Sequence, residues 1–203
     1  MKKIMLLVLL VIGAFALDWN KADSTIGSAI KESVKQTDKQ LLTDWKEATV
    51  VLPSWAEMDG DTLWLQRKGG KPFRVRLIAI DTFETKFNHR VFKQLETLKN
   101  VHPNNPQHKD KYEHTVKKVL SLGHKAKDFV SKRYLGKTVK YYSYGKDKYD
   151  RELVWIEVLT FSLVRNGWAV YYPNNKISKE RKAYLLELSR EANLEKRGIY
   201  KRF

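Results

Sequence analysis

No cysteine occurs in the 203 residues. Its absence excludes disulfides, thiolate metal sites and a lipidated cysteine at the N-terminus. A membrane-spanning run is missing as well: the uncharged stretch from Ile4 to Leu17 is shorter than the roughly 20 residues such a helix needs. There is no internal repeat. Acids are in short supply, with 23 Asp plus Glu against 39 Lys plus Arg, a formal +16. A field of that sign favours polyanions, nucleic acid ahead of acidic membrane surfaces. A solubilising surface would give the same total, so charge alone assigns no chemistry. What is present is ample apolar material, 42% of the chain, enough to bury a core.

The first residues read as an export signal. Lys2 and Lys3 form a positive segment, Ile4 to Gly13 an apolar one, and Ala14-Phe15-Ala16 a small-x-small cleavage site. Cleavage after Ala16 is the expectation, with an uncleaved N-terminal anchor as the alternative. It would remove two lysines and leave 37 − 23 = +14. An exported chain without disulfides is then stabilised by its core, with bound metal as a further contributor. Residues 17–46 read as a helical extension or a tether, because Ile26, Ile30, Val34, Leu41 and Trp45 fall roughly on one helical stripe.

Strand-like text begins at Ala48. "ATVVLPSWAEM", "DTLWLQR" and "PFRVRLIAI" are separated by the turn signals Asp59-Gly60 and "KGGK", and predict a three-stranded meander. "KTVKYYSYG" and "RELVWIEVL" add two more strands. A helix over 114–134 stands between the two groups, with Gly136 as its stop. Shorter helices are predicted over 161–166 and 178–196. Five strands with a helix inserted among them suit a small barrel better than a parallel sheet, an α+β and mainly β class. Residues 87–113 read as a polar insertion with a short helix at 90–99.

Three acid clusters stand out in so basic a chain. "RVRLIAIDTFETK" (74–86) begins as alternating basic and apolar residues and ends in acids and hydroxyls. Arg76 sits where a cation can reach a barrel mouth while its stem stays packed. Asp81 and Glu84 read either as a capping-box pair opening a helix, or as a hard-metal ligand beside a carboxylate free for base chemistry. In "EMDGDT" (57–62), Asp59 and Gly60 are explained by the turn, and Asp61 is less needed there. An EF-hand loop counted from Asp59 fails, since position twelve is Gly70. "GKDKYDREL" (145–153) reads as an exposed hairpin or as a loop aiming Arg151 at the same mouth as Arg76. Two guanidiniums there would grip a phosphate and stabilise charge that builds during its displacement.

Taken in order, "DGDT" (59–62), "VRLIAIDTFETK" (75–86), "GHKAKDFV" (123–130), "DKYDREL" (147–153) and "LVRNGWA" (163–169) resemble the staphylococcal nuclease family, as do "YPNN" (172–175) and "RGIY" (197–200). The similarity covers about 48–203, and the corresponding domain is placed at 47–203. It implies a five-stranded OB-fold barrel with three packed helices. It implies that Asp61 and Asp81 bind Ca²⁺ and that Thr82 offers the metal its backbone carbonyl. It further implies that Arg76 and Arg151 grip phosphate, and that Glu84 is the general base. Lys148 and Tyr149 match positions contacting a second phosphate, and Tyr171 and Tyr172 fall near tyrosines that flank the nucleotide.

The expected activity is that of an exported, Ca²⁺-dependent nuclease cleaving DNA and RNA, periplasmic or secreted and monomeric by default. The alternatives are a catalytically impaired OB-fold nucleic-acid-binding protein and a membrane-tethered adhesive surface protein. Four departures bear on that choice. Phe83 replaces a usual proline and is expected to loosen its loop. Asp150 replaces a usual glycine and, with Glu152, is expected to pair with Arg151. The turn after "WIEVL" is shortened, and the 87–113 insertion is long enough for a lid or an added basic contact. His102, His108 and His114 in and beside it read as dispersed loop residues.

Overall fold

The structure, a computed structural model, describes residues 44–99 and 109–201. The expected export segment and nearly all of the 17–46 extension lie outside them, as do His102 and His108. Trp45 is described and is not helical: it precedes the first strand and meets the Tyr142 ring edge-on at 6.3 Å.

The barrel is closed by five strands in the order β1-β2-β3-β6-β5. They are β1 (Lys46–Val51), β2 (Thr62–Gln66), β3 (Pro72–Leu77), β5 (Thr138–Lys146) and β6 (Glu152–Trp155). The expected meander is present, with β1–β2 and β2–β3 both antiparallel. Closure comes from β1 against β5 and from a parallel pairing of β3 with β6. Period-2 alternation fills the interior with Val50, Leu63, Leu65, Val75, Leu77, Tyr141 and Val154, all essentially without solvent contact.

Two expected strands are cut short. "PFRVRLIAI" ends as a barrel strand at Leu77. Ala79 then takes a positive φ of 63°, which turns the chain out of the barrel. It re-forms as β4 (Ile80–Thr82), paired with β7 (Ala169–Tyr171) in a separate two-stranded sheet. "RELVWIEVL" stops at Trp155, and its second half opens a helix over Glu157–Arg165, earlier than the predicted 161. The apparent shortened turn after "WIEVL" is therefore helix.

Four α-helices occur among the described residues: α1 (His89–Lys99), α2 (Lys109–Tyr134), α3 (Glu157–Arg165) and α4 (Lys179–Leu194). None is long and apolar enough to cross a membrane. α3 and α4 pack on each other, with the Phe161 and Tyr184 rings edge-to-face at 4.8 Å and Arg181 paired with Glu157. Ser178 caps α4 by accepting the Arg181 N–H. α1 and α2 close a second core of Val91, Leu95, Val119, Leu122 and Ile199 around Phe83. Phe83 is 5% exposed there, so it anchors the chain after β4 rather than loosening it.

Candidate active site

The register alone gathers three of the predicted residues. Thr62 opens β2 opposite Arg76, and Arg76 lies beside Leu153 across the parallel pair. Asp61, Arg76 and Arg151 therefore emerge at one end of the barrel. Asp61 is held by its own backbone, whose carbonyl accepts the Leu77 N–H at 2.9 Å. Two close approaches bring the next segment in. A Cβ at Gly60 would lie 2.8 Å from both Ala126 and the Thr82 methyl. A Cβ at Gly123 would meet the Glu84 carbonyl oxygen at 2.2 Å, so α2 touches the β4–α1 loop only because that position has no side chain.

Asp61 and Asp81 are joined by one guanidinium. Arg76 Nη1 contacts Asp61 Oδ2, and Nη2 donates to Asp81 Oδ1 at 2.6 Å. Nη1 is buried and makes no hydrogen bond besides that ion contact. Asp61 Oδ2 also accepts the Thr82 N–H at 2.8 Å. Burial pulls the Arg76 pKa below its ordinary value, and the Asp81 charge opposes that pull. Arg151 is near enough for its positive charge to add to the lowering.

Helix α1 completes this set. Asn88 accepts the Arg90 N–H through its side-chain oxygen, as an N-cap does, and its amide donates to Glu84 Oε2 at 2.8 Å. Arg90 Nη2 pairs with Asp81 Oδ1 at 2.5 Å, and its Nη1 with Glu84 Oε1 at 3.2 Å. One turn on, Gln94 accepts the Glu84 N–H and donates to the Thr82 carbonyl at 3.1 Å and to Asp81 Oδ2 at 3.4 Å. Asp81 opens no helix, because it sits within β4 and the helix starts at His89. The capping-box reading of Asp81 and Glu84 is thereby replaced.

Arg151 stands on the β5–β6 hairpin. Its Nε donates to Asp147 Oδ2 at 2.8 Å, and Asp147 Oδ1 accepts the backbone N–H groups of Tyr149 and Arg151. The expected partners are otherwise engaged: Asp150 pairs with Lys146 and Glu152 with Arg67. Asp150 adopts φ 62°, a left-handed conformation that Asp tolerates better than most residues. Burial works against the Asp147 charge, but the Arg151 guanidinium and the two N–H donors outweigh it and lower its pKa. Arg151 Nη1 also donates to Thr62 Oγ1 at 3.3 Å, and that hydroxyl donates to Asp61 Oδ1 at 3.3 Å. This relay ties the hairpin to the carboxylates.

The remaining predicted residues lie at the margin. Tyr149, 65% exposed, and Lys148 occupy the hairpin tip, with the ammonium 5.0 Å from the ring centroid. Tyr171 pairs with Ile80, and Tyr172, 61% exposed, donates its N–H to the Ala79 carbonyl. His114 is exposed on α2. Arg90, Asn88, Gln94 and Asp147 were not singled out from the sequence. The available signal was an Asn ahead of apolar residues at i, i+4 (Val91 and Leu95).

The proposed metal donors are all oxygen: two carboxylates and the Thr82 carbonyl, with Arg76 touching both acids and Gln94 reaching Asp81 and that carbonyl. Such a set fits a hard cation such as Ca²⁺ and lacks the N or S donors that zinc favours. It is a partial set: among the described residues no group of three or more His, Cys, Asp or Glu is arranged to hold a metal by itself.

The site thus consists of arginines and carboxylates gathered at one mouth of a closed five-stranded barrel. The family model described as staphylococcal nuclease homologue matches residues 74–202, well over half of the chain, and the chain belongs to that family. No curated protein matches it. Family membership supports a nuclease with a nucleic-acid substrate at the level of the family.

Proposed function

We propose that the protein is a Ca²⁺-dependent nuclease that hydrolyses phosphodiester bonds of DNA and RNA. The supporting observation is the joining of Asp61 and Asp81 by Arg76, with Glu84 held beside them against the start of α1 and Arg151 linked through Thr62. Asp61, Asp81 and the Thr82 carbonyl would hold the cation, which supplies charge neutralisation at the phosphate when bound. Arg76 and Arg151 donate to the non-bridging phosphate oxygens and stabilise the charge that accumulates as the water attacks. Glu84 accepts the proton from that water, its carboxylate oriented by Asn88. Lys148 and Tyr149 meet a neighbouring phosphate, and Tyr171 and Tyr172 flank the base. None of these groups reads a base edge, in keeping with cleavage indifferent to sugar and sequence.

The test is incubation of the protein with DNA and with RNA, in Ca²⁺ and in chelator, beside Glu84→Gln and Arg151→Ala. Ca²⁺-dependent cleavage that both variants lose is the expected result. A binding protein without catalysis is the second reading, and what favours it is the saturation of Asp81 by two arginines. Tight binding with no Ca²⁺-dependent cleavage would decide for it. Export, to a periplasm or the medium, is part of the proposal on the strength of residues 1–16. Recovery of a full-length, membrane-bound product on cell fractionation would favour a retained anchor instead.

A further inference from the structure

Arg90 has no role in the reading above, yet its guanidinium contacts both the candidate metal ligand Asp81 and the candidate base Glu84. We propose that Arg90 is a third, exchangeable arginine of the site: it neutralises Asp81 and Glu84 while the cation is absent and moves to the substrate phosphate when the cation takes Asp81. The proposal rests on the nuclease reading.

Three observations carry it. The first is competition for one atom. Arg76 and Arg90 both place Nη2 on Asp81 Oδ1, at 2.6 and 2.5 Å. A cation approaching that oxygen must displace one of them. The second is unequal freedom. The Arg76 side chain is 12% exposed and that of Arg90 is 39% exposed, so the outer arginine yields at the lower desolvation cost. Its backbone stays in place, because Val91 and Leu95 on the same helix are buried in the Phe83 core. Movement is confined to the side chain.

The third is charge. Asp61, Asp81 and Glu84 against Arg76 and Arg90 give −3 + 2 = −1. A divalent cation takes this to +1, and a phosphodiester monoanion to zero. Without Arg90 the same loaded site would be at −1 and would repel the charge that develops in the transition state. Transfer of Arg90 to phosphate also uncovers Glu84 when a proton acceptor is required.

The two roles have opposite signs for binding, which a purely structural residue would not reproduce. Ca²⁺ alone, and then thymidine 5′-monophosphate in saturating Ca²⁺, are titrated calorimetrically into wild type, Arg90→Ala, Arg90→Gln and Arg90→Lys. Thermal melts identify any variant that fails to fold. Loss of the positive charge is expected to tighten Ca²⁺ about fivefold and weaken the nucleotide about fivefold, the scale of a part-exposed ion pair. Arg90→Lys should retain the wild-type Ca²⁺ affinity and lose part of the nucleotide affinity, because an ammonium cannot match the planar fork. If folded Ala and Gln variants move both affinities in the same direction, or neither, Arg90 is a structural residue and the proposal is overturned. If wild type binds neither ligand, the nuclease reading falls and takes this one with it.

Discussion

The barrel mouth holds two acid–arginine clusters of different construction. On the hairpin, Asp147 and Arg151 pair one to one, and the acid's remaining capacity is used by local backbone N–H groups. On the β4–α1 side three carboxylates share two arginines, and the bonds to them come from β3, α1 and the Thr82 backbone. The first arrangement positions a cation. The second leaves a residual negative charge in a half-buried place, which is costly unless it serves to hold something positive. Under the proposed function, the hairpin cluster contributes only a phosphate-gripping arginine, whereas the β4–α1 cluster holds the metal and the water in addition to the second such arginine, Arg76.

The comparison is broken most severely by removing an acid on the β4–α1 side. Glu84→Gln keeps the hydrogen bond from Asn88 within reach but cannot accept a proton, and the cleavage rate is expected to drop by about 10²- to 10⁴-fold. Single-turnover cleavage measures it, with circular dichroism to verify the fold. Next comes the support beneath Glu84. Gly123→Ala places a methyl 2.2 Å from the Glu84 carbonyl oxygen, and overpacking of this kind costs about 1–3 kcal/mol in urea unfolding.

The hairpin cluster should respond to pH. The Asp147 carboxyl is lowered in the folded protein, so its contribution is present in full above the unfolded value of about 3.9 and is lost as pH falls through the folded value. Melting temperatures of wild type and Asp147→Asn are expected to differ at neutral pH and to converge in acid. A difference that grows as pH falls would contradict the assignment. The smallest effect belongs to Asp150→Gly. It relieves a positive φ and removes an exposed pair with Lys146, two changes of opposite sign, so cleavage should stay within about twofold of wild type. A large loss would mean that Asp150 serves the site after all.

The strands were legible because one face of each is buried and alternation survives in the text, as in Phe73-Arg74-Val75-Arg76-Leu77. The exit from the barrel was not, since Ile78, Ala79 and Ile80 are all buried and an unbroken apolar run conceals a change of sheet. The same masking hid the strand-to-helix change at Ile156. Arg76, Asp81, Glu84 and Arg151 stood out as candidates through their motifs, and the structure brings them to one end of the barrel. Arg90 and Gln94 were not, because their value comes from a helix docked over the β4 exit, a tertiary fact without local signature. Asp147 was hidden by its plausibility as an ordinary turn residue, and the burial of Phe83 was hidden because its partners lie farther along the chain, on α1, α2 and the C-terminal turn at Ile199.

The most direct measurement is the rate of DNA cleavage as a function of Ca²⁺ concentration for wild type and Asp81→Asn. The account predicts saturable activation of wild type, no cleavage in chelator, and a variant that requires far more Ca²⁺ for any activity. Cleavage by wild type in chelator, or a variant curve that overlays the wild-type one, would contradict it.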